Sequence, residues 1–335
     1  MTAPTPAALD KGAFVISIDT EMVWGEAHKR DGEVAGHRFD RERDVVEQLL
    51  EVFARYELPA TWAVVGHLFL DRCERGADGR PHPDLPRPDY DWLDGDWLDI
   101  DPCTDVDDAP FHYGRDILDA IVACPFPQEI GSHSFSHVIV DDPGCSSEVF
   151  AAELAAAQAV ATPFGVELRS FVYPRNAIAH LGTLAGAGFT SYRGGRPGRA
   201  FAGMPGWQRR AAQLVDRVVP LAGSAVHPAR DGSGVWNVPQ TYLFAPVTAR
   251  RHLPPALWAR RPIGRLRQAA RQRSLFHLWF HPYNITADPE RSIAALDHIA
   301  KAAARLRDEG RLDTLTMTEV AERLEKAETS TQLAS

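Results

Sequence analysis

Two histidines four residues apart, His133 and His137, stand in the run Glu129-Ile130-Gly131-Ser132-His133-Ser134-Phe135-Ser136-His137. On a helical turn such a pair meets on one face and offers two imidazole nitrogens to a single metal ion. In an extended strand the rings would sit roughly 13 Å apart, too far to share an ion. A metal site here therefore requires a helical turn. Gly131-Ser132 opens a turn directly after an apolar residue, as junctions between strands and sites often do. No glutamate follows the first histidine as it does on the zinc-protease helix, so a third ligand and a general base must come from elsewhere. A second pair, His277 and His281, lies on the apolar strand Leu275 to His281, where the same spacing separates the rings by roughly 13 Å. His281, at the carboxyl end and followed by Pro282, is the active-site candidate; His277 is expected to be buried and hydrogen-bonded.

The elements that must hold these residues alternate along the chain. Phe14 to Ile18 reads as a buried strand running directly into Asp19-Thr20-Glu21, and acidic residues at the carboxyl end of a buried strand are where α/β folds place chemistry. A Gly- and His-bearing loop, Gly25 to His37, follows. Asp40 to Tyr56 has the apolar stripe of an amphipathic helix, and Ala60 to Val65 reads as a second strand. Residues 71 to 112, rich in Pro, Asp and Gly with Trp92 and Trp97 embedded, read as an insertion or long functional loop whose aromatic and acidic residues could line a sugar site. Further on come a helix over Ile117 to Ala123 and one capped by Ser146 or Ser147 and running to about Ala161. A strand at Ser170 to Tyr173, a helix over Ala177 to Ala187 closed by Gly188, and a strand at Phe189 to Tyr192 follow. Trp236 to Leu243 reads as another strand, and two terminal helices span about Pro289 to Arg307 and Thr316 to Lys326. The alternation predicts a mostly parallel sheet, open or closed into a barrel, in a single domain over 1–335.

Composition narrows the function. With 44% hydrophobic and 24% charged residues among 335, the chain is an ordinary globular protein. A net charge of -9 argues against nucleic acid or an anionic membrane as main partner. The basic stretch Arg250 to Arg273, interrupted by Pro254, Pro255 and Pro262, reads as a solvated, partly helical surface. Cys73, Cys103, Cys124 and Cys145 show no Cys-x-x-Cys spacing and read as incidental thiols, neither zinc cage nor disulfide framework. Met1 to Asp10 lacks signal-peptide features and no apolar run approaches a membrane span, so a cytoplasmic location without membrane insertion is expected. The sequence gives no indication of oligomeric state.

Read together, these pieces resemble the polysaccharide deacetylase family, the nodulation-type carbohydrate deacetylases. Ile16 to Glu21 resembles its first motif, Pro59-Ala60-Thr61-Trp62 through Gly66 the strand that follows, and Glu129 through His137 its second motif. Phe171-Val172-Tyr173-Pro174-Arg175-Asn176 resembles the third motif and Leu278 to Pro282 the last, so the resemblance spans about residues 12 to 322. It implies an irregular (β/α) barrel of about seven strands and a site for a divalent metal, most simply Zn²⁺. It also implies hydrolysis of an N-acetyl group on an amino sugar, the partner being a small-molecule or glycan substrate. Carried over by position, Asp19 is the base, His133 and His137 are ligands and His281 is the acid. Thr20 stands where the family has its liganding second aspartate; Glu21, one residue further on, is the substitute the resemblance offers, and the sequence leaves open whether Asp19 or Glu21 faces the ion. Val172 stands where it has an arginine, leaving Arg175 to supply charge near Asp19 and a backbone N–H for the developing oxyanion. Trp24, Tyr173 and Asn176 are the expected substrate contacts. A fourth motif bearing tryptophan and aspartate is not found. With the expected cytoplasmic location, the resemblance points to a sugar precursor rather than a finished wall polymer. Two alternatives remain open: a metal-free C–N hydrolase acting on a non-sugar amide or cyclic ureide, and a non-catalytic glycan-binding relative.

Overall fold

A computed structural model describes residues 9–28, 39–195, 225–244 and 253–334. The loop expected at Gly25 to His37 therefore lies largely outside the described residues, as does the start of the basic stretch at Arg250.

The centre of the molecule is β1 (Gly12–Thr20), every residue of which is buried. It pairs in parallel with β2 (Thr61–Val64) on one side and β9 (Leu275–Phe280) on the other. Beyond β2 follow β3 (Glu129–Ser132), β4 (Ser170–Val172) and β5 (Ser191–Arg193), all parallel. The short β7 (Trp236–Asn237) joins β5 in parallel and carries the antiparallel β6 (Ala229–Arg230), while β10 (Leu312–Thr314) adds to the start of β1. Strands buried on both faces need continuous apolar runs, which is why Phe14 to Ile18 and Leu275 to Phe280 read so clearly. The result is a mixed α/β fold with a curled, mostly parallel sheet of the (β/α)-barrel type.

The curl is completed by a segment expected to be one strand. Trp236 to Leu243 breaks at Pro239-Gln240: its first half pairs with β5 as β7, and its second half, β8 (Tyr242–Leu243), pairs with β9. Val238 and Gln240 donate to Tyr192 and Gly194 beside β5, whereas Thr241 donates to His277 in β9. Proline has no N–H for a ladder, so the strand changes partners there and links the two flanks of the sheet.

The helix Glu42–Tyr56 buries Val45, Val46, Leu49, Leu50 and Phe53 of the stripe its periodicity predicts, and Val52 besides, while Tyr56 is only partly buried. Ser146 caps Ser147–Ala161 by accepting from the Val149 N–H. The helix expected over Ala177 to Ala187 is only Leu181–Gly186, because His180 is left-handed and delays its start. The terminal helices are Pro289–Asp308 and Met317–Ala334. Among the described residues no helix is long and apolar enough to cross a membrane.

The reading of all four cysteines as incidental thiols is corrected. Cys73 and Cys103, 30 residues apart, form a disulfide, while Cys124 and Cys145 are free. The pairing is tertiary in origin: Arg72 bridges Asp105 in antiparallel fashion and the Cys73 N–H donates to Thr104, which brings the two cysteines face to face.

Candidate active site

The chemistry-bearing side chains meet where parallel strands end, at their carboxyl edge. Asp19 is the penultimate residue of β1 and Glu21 follows its last residue. Alternation along an extended strand would point Asp19 and Glu21 the same way only if the strand continued. Instead Glu21 has φ -128° and ψ -18°, so the chain has turned out of the strand and its long side chain comes round into the site. Gly25 makes the space, since a Cβ there would lie 2.1 Å from Glu21 Oε1.

His133 and His137 do meet, with ring centroids 4.9 Å apart, but not on a helical turn. After β3 the chain forms an irregular bend with Ser134 at φ 61° and His137 at φ 62°. Left-handed residues cost energy unless the surroundings fix them. Here the buried Glu153 does so: one of its oxygens accepts the N–H of Phe135 at 2.9 Å and of Ser136 at 2.8 Å, the other the Ser136 hydroxyl at 2.6 Å. Burial raises the Glu153 carboxyl above its ordinary pKa, against these hydrogen bonds. From residues 71–112, the buried Trp97 indole donates to both the carbonyl and the hydroxyl of Ser136.

Glu21 Oε2 lies 3.1 Å from His133 Nε2 and 2.9 Å from His137 Nε2. His133 Nδ1 donates to the Val172 carbonyl at 2.7 Å, so a neutral ring presents a bare Nε2 to the carboxylate. A lone pair facing a carboxylate oxygen is unfavourable unless a cation lies between them, and a backbone carbonyl fixing the far nitrogen is the usual support of a metal-binding histidine. The three donors all lie within 4.8 Å of one another and are buried, so they fit a divalent ion. Two imidazoles and one carboxylate are a three-ligand set of the kind that leaves a coordination position open. Burial alone would raise the Glu21 carboxyl, but the surrounding histidines hold it well below the ordinary range; burial pushes His137 down towards its neutral, ligand-competent form.

Asp19 takes no part in that triad. Its two oxygens are held by Arg193, Nη1 to Oδ1 at 2.5 Å and Nη2 to Oδ2 at 2.6 Å. The pair is almost fully buried, and although burial opposes it, the guanidinium holds the Asp19 carboxyl below its ordinary pKa. Arg193 stands directly opposite Val172 in the β4–β5 register. The positive charge absent from position 172 is thus supplied at the same height from the neighbouring strand. Trp279 stacks beneath the guanidinium at 4.4 Å. Arg193 also donates to Ser17 Oγ, Ser17 donates to His277 Nε2, and His277 Nδ1 donates to the Val238 carbonyl. His277 is therefore a buried, satisfied partner of the Arg193 network.

His281 completes the cluster. Its Nδ1 donates to Asn284 Oδ1 at 3.0 Å, which directs Nε2 inward, 3.4 Å from Glu21 Oε1 and 3.6 Å from Asp19 Oδ2. Its side chain is 18% exposed, so the site opens to solvent on this flank. Tyr283 donates to Glu21 Oε1 at 2.8 Å.

Three expected roles are corrected. Arg175 is exposed and does not brace Asp19; Arg193 holds both carboxylate oxygens. Trp24 is fully buried, its indole donating to the His112 carbonyl, and Tyr173 is fully buried, its hydroxyl donating to the Ala179 carbonyl. Neither presents a surface to a ligand. Asn176 is partly exposed and accepts from Gln240. Arg193, Glu153, Gly25 and Tyr283 escaped the sequence reading because their significance depends on strands and loops distant in the chain.

Residues 28–183 match the family model described as polysaccharide deacetylase. The match takes in His133 and His137 and leaves out Asp19, Glu21, Arg193 and His281. Over that stretch, a little under half of the chain, and in its fold, the protein is similar to polysaccharide deacetylases. A crystal structure from Mycobacterium smegmatis, described as that of a candidate polysaccharide deacetylase, shares the fold with a TM-score of 0.61 at 15% identity, over 97% of this chain and 96% of that one. A peptidoglycan deacetylase from Bacillus subtilis aligns over 97% and 96% at 14% identity, with a TM-score of 0.40. No curated protein matches the sequence.

Proposed function

We propose that the chain is a metal-dependent hydrolase that removes an N-acetyl or similar acyl group from an amino sugar or glycoconjugate precursor. The observation that carries the reading is the convergence of Glu21, His133 and His137 on one point with Asp19 and His281 at its edge. Glu21, His133 and His137 would hold the ion, and the donor set suits Zn²⁺. Such an ion, when bound, acidifies a water and stabilises negative charge on oxygen. Asp19, kept ionised and fixed in direction by Arg193, accepts the proton of the attacking water. His281, oriented by Asn284, delivers a proton from Nε2 to the departing amine, which is otherwise a poor leaving group. The backbone N–H of Arg175 is the proposed donor to the developing oxyanion, a contact worth about 3 to 4 kcal/mol in other hydrolases.

The test is acetate release from N-acetylated amino sugars and their oligomers by zinc-loaded protein, beside a chelator-stripped sample and Asp19→Asn. Release that stops in both controls supports the reading. Equal release in the stripped sample, or full activity in Asp19→Asn, would refute it.

A further inference from the structure

A second cluster of metal-competent side chains lies outside this site, where the 71–112 segment meets the barrel. His67 comes from the short 3-10 turn Gly66–Phe69 just after β2, while Cys73, His82 and Asp101 come from the segment itself. Their donor atoms all lie within 4.8 Å of one another. His67 Nε2 and His82 Nε2 each lie 3.0 Å from the same oxygen, Asp101 Oδ2, and Cys73 Sγ is 3.5 Å from His82 Nε2. Tetrahedral zinc with bonds of about 2.0 to 2.3 Å sets its ligand atoms at about 3.3 to 3.8 Å from one another, close to this spacing.

The orientation of His67 singles the cluster out from an ordinary hydrogen-bonded network. Its Nδ1 lies 3.0 Å from the His112 carbonyl, which can only accept, so Nδ1 carries the proton. The neutral ring then turns a bare Nε2 towards a carboxylate oxygen that is also only an acceptor. His67 and Asp101 are both fully buried, and their 3.0 Å contact leaves no room between them for a water. The arrangement repeats the one at His133, where a backbone carbonyl fixes one ring nitrogen and the other faces a carboxylate. Asp101 is itself fixed, its other oxygen accepting the Cys103 N–H at 2.8 Å. The loop is bent to bring these groups in, with His82 at φ 46° and Cys103 at φ 50°, both left-handed. Cys73 and His82 also line a surface cleft with Leu70, Arg72 and Pro83, which gives an ion a way in.

We propose that His67, Cys73, His82 and Asp101 form a closed, four-ligand zinc site in the chain whose Cys73 is reduced, and that this ion pins the 71–112 segment to the barrel. The Cys73–Cys103 disulfide and the zinc site are alternatives, since both use Cys73 Sγ. A phosphine and water convert the disulfide to two thiols, the phosphine leaving as its oxide, and Zn²⁺ then displaces the Cys73 thiol proton. Nothing in the cluster resembles a base or acid held beside an open position, so its role is structural.

Metal content and cobalt absorption test it without reference to activity. Phosphine-reduced full-length protein loaded with zinc is expected to hold two equivalents, one lost in His82→Ala and in Cys73→Ser and the other in His137→Ala. Loaded with Co²⁺ instead, the reduced protein is expected to show thiolate-to-cobalt absorption that vanishes in Cys73→Ser. Cys103→Ser, which leaves Cys73 a thiol with no reductant present, is expected to show that absorption without phosphine, and this holds even if His82→Ala fails to fold. The proposal falls if reduced protein and Cys103→Ser both lack the cobalt-thiolate absorption and the metal count of His82→Ala equals that of the wild type. Zinc retained in His137→Ala and lost in His82→Ala would uphold this site whatever becomes of the hydrolase reading.

Discussion

The carboxyl edge of the barrel and the root of the 71–112 segment both gather histidine and carboxylate around one point, yet they are built for opposite ends. At the barrel edge three donors face inward, and beside them stand a carboxylate locked by Arg193 and a histidine aimed by Asn284. At the segment root four donors face inward, packed against the rings of Phe135 and Tyr113. The difference is one of completeness. A set that fills a tetrahedron holds structure together, whereas one that stops at three leaves room for a reacting molecule. The two regions also touch: Phe135, in the bend between His133 and His137, packs its ring on His67 and His82, with centroids 5.8 and 5.0 Å away.

The largest effect expected at the edge site follows from removing its chemistry. Asp19→Asn should lower kcat by about 10³-fold or more with the far-ultraviolet circular dichroism unchanged, and His281→Ala by about 10² to 10⁴. If either variant kept wild-type kcat, the asymmetry between the two regions would disappear. Arg193→Met leaves Asp19 charged and buried alone, so urea unfolding should show a loss of about 3 to 5 kcal/mol. Gly25→Ala places a methyl against Glu21 Oε1 and should lower the zinc affinity of the edge site by about tenfold or more, measured by competition with a chromogenic chelator, without touching the thiolate-bearing site. Glu153→Gln loosens the bend that carries both histidines and should weaken the same site by a similar or smaller factor.

A more gradual effect is expected in pH. Burial, aided by the nearby Arg193 charge, pushes His277 down to about 3 in the folded protein, while the unfolded chain has the ordinary value near 6.5. The unfolded state therefore binds a proton that the folded state refuses, and stability falls as pH drops from about 6.5 towards 3, by up to about 1.4 kcal/mol per pH unit for this group. Urea midpoints for wild type and His277→Gln measured across that range should converge as pH falls. Parallel curves would show that His277 contributes nothing to the acid limb.

Much of this was legible in order along the chain. Apolar runs such as Phe14 to Ile18 announced strands, the stripe from Val45 to Phe53 announced a helix, and polar residues at strand ends announced Asp19, His133 and His281. What misled was local logic applied to residues whose conformation is set from a distance. Four-residue spacing suggested a helical turn for His133 and His137, but Glu153 and Trp97 hold an irregular bend instead. The third motif suggested Arg175 as the charge near Asp19, but the register of β4 and β5 brings Arg193 there. Cysteine spacing suggested unrelated thiols, but a loop of the 71–112 segment folds Cys73 onto Cys103.

The sequence by itself determined the strands, the major helices and the side chains capable of hydrolytic chemistry, because periodicity and residue type act over a few neighbours. Only the tertiary structure decided which carboxylate faces the histidines, which arginine holds the other, and that a second set of donors meets at all. Those choices depend on strand register and on loop conformations fixed by buried groups, and neither is encoded in the spacing of the residues they bring together.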